Sequence, residues 1–119
     1  MKLNLANAVI ICLLVSVASP ALAQDAAAGS GADTYKAKCA KCHGADGLSH
    51  TFDGKMTKAA SLKSPMVSSA TDPDLIAVVT NGKKKMPAFK NKLTDDQIKA
   101  VVAYIRTLPD PAPGNISGM

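Results

Sequence analysis

The chain has 119 residues, with 14 Lys and Arg against nine acids, all of them Asp, for a formal charge of +5. That length holds one domain rather than several, near the size at which a core is marginal unless something extra is buried. The positive balance favours an acidic partner surface or a membrane, whereas the basic residues do not interleave with aromatics as they do on a nucleic-acid-binding face.

The first stretch does not read as part of a fold. Met1 and Lys2 form a short positive start, Leu5 to Ala18 are almost wholly apolar, and Ala21-Leu22-Ala23 supplies small residues for a signal peptidase. We expect a cleaved secretory signal peptide over residues 1–23, export to the bacterial periplasm, and Gln24 as the mature N-terminus. The apolar run is shorter than the roughly 20 residues that span a bilayer, so no stable membrane span is expected after cleavage. Cys12 leaves with the signal, and loss of Lys2 lowers the charge to +4. The single domain then spans residues 24–119, with its core at about 31–109 and a flexible tail over 110–119, where Pro111, Pro113 and Gly114 fall.

No repeat and no period-two stretch is visible, so the domain reads as all-α. The first helix is expected from about Gly31 to Lys41, with Ala32, Tyr35 and Cys39 on one face and Gly44 ending it. Residues 45–69 are rich in Gly, Ser, Thr and Lys. They read as a long loop with one short helical turn, and a loop of that length in so small a domain usually wraps something. Asp72 is placed to cap the next helix, Pro73 suits its first position, and Asn81-Gly82 stops it. The last helix carries a capping box in Thr94 and Gln97, acids at Asp95 and Asp96, and an apolar stripe of Ile98, Val101, Val102, Ile105 and Leu108 before Pro109.

The chemistry centres on Cys39-Ala40-Lys41-Cys42-His43, the C-x-x-C-H pattern of covalent haem attachment. Residues three apart share a helix face, so both sulfurs can add to vinyl groups of one porphyrin while His43 is held at the iron. Exported thiols must be bonded to something. A bulky apolar cofactor also suits a core whose only aromatics are Tyr35, Phe52, Phe89 and Tyr104. A thioredoxin-like motif would need a strand-helix-strand pattern, which is absent, and zinc would need four ligands, yet beyond Cys39, Cys42 and His43 the only further His is His50. For a second axial ligand the chain offers Met56, Met66, Met86, Met119 and His50. Met86 sits in the stiffened segment Asn81 to Phe89, with Pro87 beside it and Gly82 permitting the turn; Met56 and Met66 are read as core filler.

Over nearly all of Gly31 to Leu108 the sequence resembles the class I c-type cytochromes. Three features carry the likeness: the attachment motif Cys39 to His43, the M-P-x-F segment Met86 to Phe89, and a terminal-helix pattern in which Gly31 and Tyr35 meet Val101 and Tyr104. The resemblance implies a small cytochrome c-like fold of three to five helices and long loops around one haem c, with His43 proximal and Met86 distal. It also implies electron transfer rather than catalysis. One departure concerns the proline whose carbonyl usually orients the proximal histidine: Pro65 is the only candidate before Pro73 and comes late, so the partner of His43 is unassigned.

A closed His/Met site changes oxidation state without exchanging ligands, and a thioether pushes the potential upward. Lys41, Lys83, Lys84, Lys85 and Lys90 lie close in sequence to the two ligand segments and would form a basic rim for redox partners with acidic docking surfaces. A monomer is expected. The competing readings are a peroxidase-like haem enzyme with an open distal site, a haem-free thiol-disulfide oxidoreductase using Cys39 and Cys42, and a haem-bearing subunit of a larger complex.

Overall fold

The computed structural model describes residues 29–113; the expected signal peptide and the end of the expected tail, residues 114–119, lie outside them. Among the described residues there are six helices, α1 (Gly31–Lys38), α2 (Ala40–His43), α3 (Phe52–Thr57), α4 (Pro65–Ser68), α5 (Asp72–Asn81) and α6 (Asp95–Thr107). They contain no strand, only an isolated antiparallel bridge between Lys83 and Met86. The count reaches six because the attachment helix breaks at Cys39. There φ widens to −114°, while the Cys39 N–H still donates to the Tyr35 carbonyl. Gly44, with φ of 77°, ends α2.

The frame is the crossing of α1 and α6. Ser30 starts α1 with a reciprocal cap, its Oγ accepting from the Asp33 N–H while the Asp33 carboxylate accepts from the Ser30 N–H. Thr94 and Gln97 do the same for α6, as the sequence predicts. The apolar stripe of α6 faces inward: Ile98, Val101 and Val102 are fully buried, and Leu108 closes the cluster that Tyr35, Val79, Phe89 and Leu93 complete. Burying each such side chain stabilises the fold by about 1.5–3 kcal/mol. Gly31 makes the crossing close. A Cβ there would press on the Ala100 carbonyl, 2.7 Å from its carbon, and stand 3.1 Å from Tyr104 Cβ. The Tyr35 and Tyr104 rings then meet with centroids 5.3 Å apart at 52°.

Three expectations are corrected. Residues 45–69 hold two short helices rather than one turn, because Thr51 caps α3 through the Gly54 N–H and Pro65 opens α4. Met56 and Met66, expected as core filler, are each 62% exposed, on the short helices α3 and α4. Thr71 rather than Asp72 caps α5: its Oγ1 accepts from the Asp74 N–H, and Asp74 answers in a capping box that places Asp72 and Pro73 inside the first turn.

Two cations tie the long loop to α6. Arg106 bonds Asp72 through Nε at 3.0 Å and donates to the carbonyls of Val67, Ser68 and Ala70, the last at 2.5 Å. Lys63 Nζ donates to the Leu108 carbonyl and pairs with Asp110 at 3.5 Å.

Candidate cofactor site

Cys39, Cys42 and His43 lie on α2 and the break before it, and both cysteines are free, half-buried thiols. Burial, and after it the neighbouring Cys42, pushes the Cys39 thiol up to about 11. A thiol-disulfide catalyst needs the opposite, a thiol activated by a lowered pKa. Zinc is no better served, since among the described residues no group of three or more His, Cys or Asp stands together as a metal site.

The geometry at His43 is the most informative feature. Its Nδ1 lies 3.0 Å from the Ala60 carbonyl oxygen. A carbonyl only accepts, so in the neutral ring Nδ1 carries the proton and Nε2 keeps its lone pair. Burial lowers the His43 pKa, with the Ala60 bond opposing it, and so favours the neutral ring that a metal needs. Ser49 Oγ approaches the same Nδ1 at 3.3 Å and donates to the Ala60 carbonyl at 2.7 Å. This carbonyl replaces the proline partner that the sequence does not supply. A backbone oxygen has no side-chain signature, and only the return of the loop 17 residues beyond His43 brings it there.

Met86 occupies a short, highly constrained turn. Its N–H donates to the Lys83 carbonyl at 2.9 Å and its carbonyl accepts from the Lys83 N–H at 3.1 Å, leaving Lys84 and Lys85 at the tip. Gly82, φ 75°, is required: a Cβ would stand 2.6 Å from the Met86 oxygen and 2.8 Å from the Ala88 nitrogen. The Phe89 N–H then anchors the segment on the Val79 carbonyl at 3.0 Å. Met86 is half-buried against the core, whereas Met56 and Met66 stand out in solvent; Met119 lies outside the described residues. His50 is exposed beside a shallow hollow lined by Gly44, Asp46 and Thr51.

Helix α3 brings the two segments together. Thr51 Oγ1 at its start donates to the Cys42 carbonyl at 2.9 Å, and near its end the Met56 carbonyl accepts from Lys85 Nζ at 3.3 Å. Cys39 and Met86 pack against one and the same core cluster. Phe52, 78% exposed, adds an uncovered apolar ring on α3. Two free thiols, a neutral imidazole with Nε2 unengaged and a half-buried thioether form a donor set that fits a covalently held haem.

An all-helical frame around a C-x-x-C-H turn and a Met-Pro loop defines the class I c-type cytochromes. Residues 26–105 match the family model described as cytochrome c oxidase, cbb3-type, subunit III. The chain belongs to this c-type cytochrome family, as a small electron carrier with one covalently bound haem c. Among its relatives, a cytochrome c6 of Nostoc sp. strain PCC 7120 is 45% identical over 87 residues, covering 73% of this chain and 74% of the relative. A cytochrome c6 of Rippkaea orientalis is 39% identical over 103 residues, covering 87% and 88%. The solved KustC0563 c-type cytochrome is 27% identical, has a TM-score of 0.60, and is matched over its whole length by 69% of this chain.

Proposed function

We propose that Cys39 and Cys42 hold the haem by thioether bonds, that His43 Nε2 is the proximal ligand, and that the Met86 sulfur is the distal one. The observation that carries this reading is the Nδ1 bond of His43 to Ala60, which frees Nε2 in the tautomer that ligation requires. Each S–H would add across a vinyl group, with the hydrogen going to the other carbon, so that no atom leaves. The group, when bound, supplies an iron that gains and loses one electron.

The protein's own residues then act as a rigid holder. Ala60 fixes the His43 ring, Gly82 and the Lys83–Met86 bridge fix the thioether, and Thr51 joins the two through α3. If His43 and Met86 both ligate the group, they leave no open position at which a substrate could bind, which suits electron transfer rather than catalysis. Lys83, Lys84, Lys85 and Lys90 are exposed around the Met86 turn and suit a partner with an acidic docking surface. Lys41 is engaged by Asp53 at 3.5 Å and contributes less to that rim than its position in the sequence suggests. The signal-like residues 1–23 support export to the periplasm, and among the described residues no helix is long and apolar enough to cross a membrane. We take the working form to be a monomer.

The test is an absorption spectrum of the mature protein made with a haem-attachment system, oxidised and reduced. Covalent haem with the weak near-infrared band of a Met sulfur on ferric iron is expected. Met86→Ala should lose that band and bind carbon monoxide when reduced. Rapid carbon monoxide binding by the unaltered protein would instead establish an open-site haem enzyme.

A further inference from the structure

Ser49 is conspicuous because it is a polar residue buried to 8% exposure and held at φ 60°, a left-handed conformation that a non-glycine residue adopts at some cost. Its N–H donates to the carbonyl of His43 itself at 2.9 Å, which pins the loop back over α2. Two further backbone bonds, Ala59 N–H to the Gly54 carbonyl and Leu62 N–H to the Gly47 carbonyl, both 2.8 Å, hold Ala60 opposite. The result is a triangle: His43 Nδ1 to Ala60 oxygen 3.0 Å, Ser49 Oγ to Ala60 oxygen 2.7 Å, Ser49 Oγ to His43 Nδ1 3.3 Å.

We propose that the Ser49 hydroxyl raises the reduction potential of the site by sharing the Ala60 carbonyl with the His43 ring. This rests on the proximal role of His43 proposed above. The hydroxyl has one proton, and the shorter contact places it on Ala60, so the carbonyl serves two donors. Each of two bonds to one oxygen is weaker than a single bond to it. The Nδ1–H of His43 is therefore held less firmly, the ring keeps less imidazolate character, and it donates less charge to the metal. A weaker donor disfavours the ferric state. Ser49 Oγ also offers a lone pair to Nδ1–H, an opposing effect, but at 3.3 Å against 2.7 Å it is the smaller of the two. Ser49 is thus a positioning residue that acts on the metal through His43.

The experiment uses haem-loaded unaltered protein, Ser49→Ala and Ser49→Gly. Both variants lose the hydroxyl, but only glycine is at ease at positive φ, so Ser49→Gly should melt above Ser49→Ala. If the hydroxyl acts as proposed, both shift the reduction equilibrium toward ferric by a similar factor of about three to ten, about 30–60 mV at 59 mV per tenfold. The ferrous Nδ1 proton resonance of His43 should move downfield in both. Unchanged or raised potentials, or potentials that follow the melting temperatures, would overturn the inference while leaving His43 in place. Absence of covalent haem from the unaltered protein would overturn both readings together.

Discussion

Gly31→Ala tests the helix crossing that frames the site. The new methyl would stand 2.7 Å from the Ala100 carbonyl carbon and 3.1 Å from Tyr104 Cβ, where carbon contacts are ordinarily about 3.5–4.0 Å. The Ala100 atom is backbone and cannot rotate away, so α1 and α6 must part by about 1 Å. Overpacking of this kind costs about 1–3 kcal/mol. Parting the helices also weakens the Tyr35–Tyr104 ring contact, which contributes about 0.5–1.5 kcal/mol. Against this, alanine gains at most about 1 kcal/mol of helix propensity over glycine, and less at a first helical position. The steric cost wins. A net loss of about 1–3 kcal/mol corresponds to a fall of about 5–20 °C in melting temperature for a domain this small. Thermal unfolding of the haem-loaded variant, followed by far-ultraviolet circular dichroism and by haem absorbance, measures it. A melting temperature equal to or above that of the unaltered protein would refute the reasoning and mean that the helices do not approach as described.

Tyr35→Phe removes the hydroxyl that donates to the buried Gly44 carbonyl at 2.6 Å, and should destabilise the protein by about 1–3 kcal/mol in denaturant titrations by leaving that oxygen unpaired. Arg106→Lys keeps the charge but loses the planar set of donors that reaches Asp72 and three carbonyls. It should cost about 1–2 kcal/mol and accelerate amide exchange in residues 67–74 first. Lys84→Asp, at the exposed tip of the Met86 turn, should slow oxidation by ferricyanide a few-fold at low salt. The difference should fade near 1 M salt, where the screening length is about 3 Å, and an effect that survives such salt would exclude an electrostatic origin.

The sequence by itself determined the class and supplied the donor set that we propose. Cys39, Cys42 and His43 stand at the spacing that covalent haem attachment requires, two sulfurs on one helix face with an imidazole beside them. α6 was readable to its cap because Thr94, Gln97 and the stripe from Ile98 to Leu108 are all local signals. The boundary at Gly82 was readable because Asn81-Gly82 is itself a local stop signal, and the structure adds that positive φ and crowding there both demand glycine. Less was legible between residues 45 and 71. There the caps Thr51 and Thr71 compete with many equivalent Ser, Thr and Asp positions, and short helices carry too few residues for a period to show. The exposure of Met56 and Met66 was hidden too, because an apolar residue in a loop says nothing about which side of the chain faces the core. Only the tertiary structure decided the partner of His43. Ala60 contributes a backbone oxygen that every residue type possesses, and Ser49 is one serine among several. What selects them is the path of the loop, closed by backbone bonds such as Leu62 to Gly47 and Ala59 to Gly54, which no local pattern of side chains encodes.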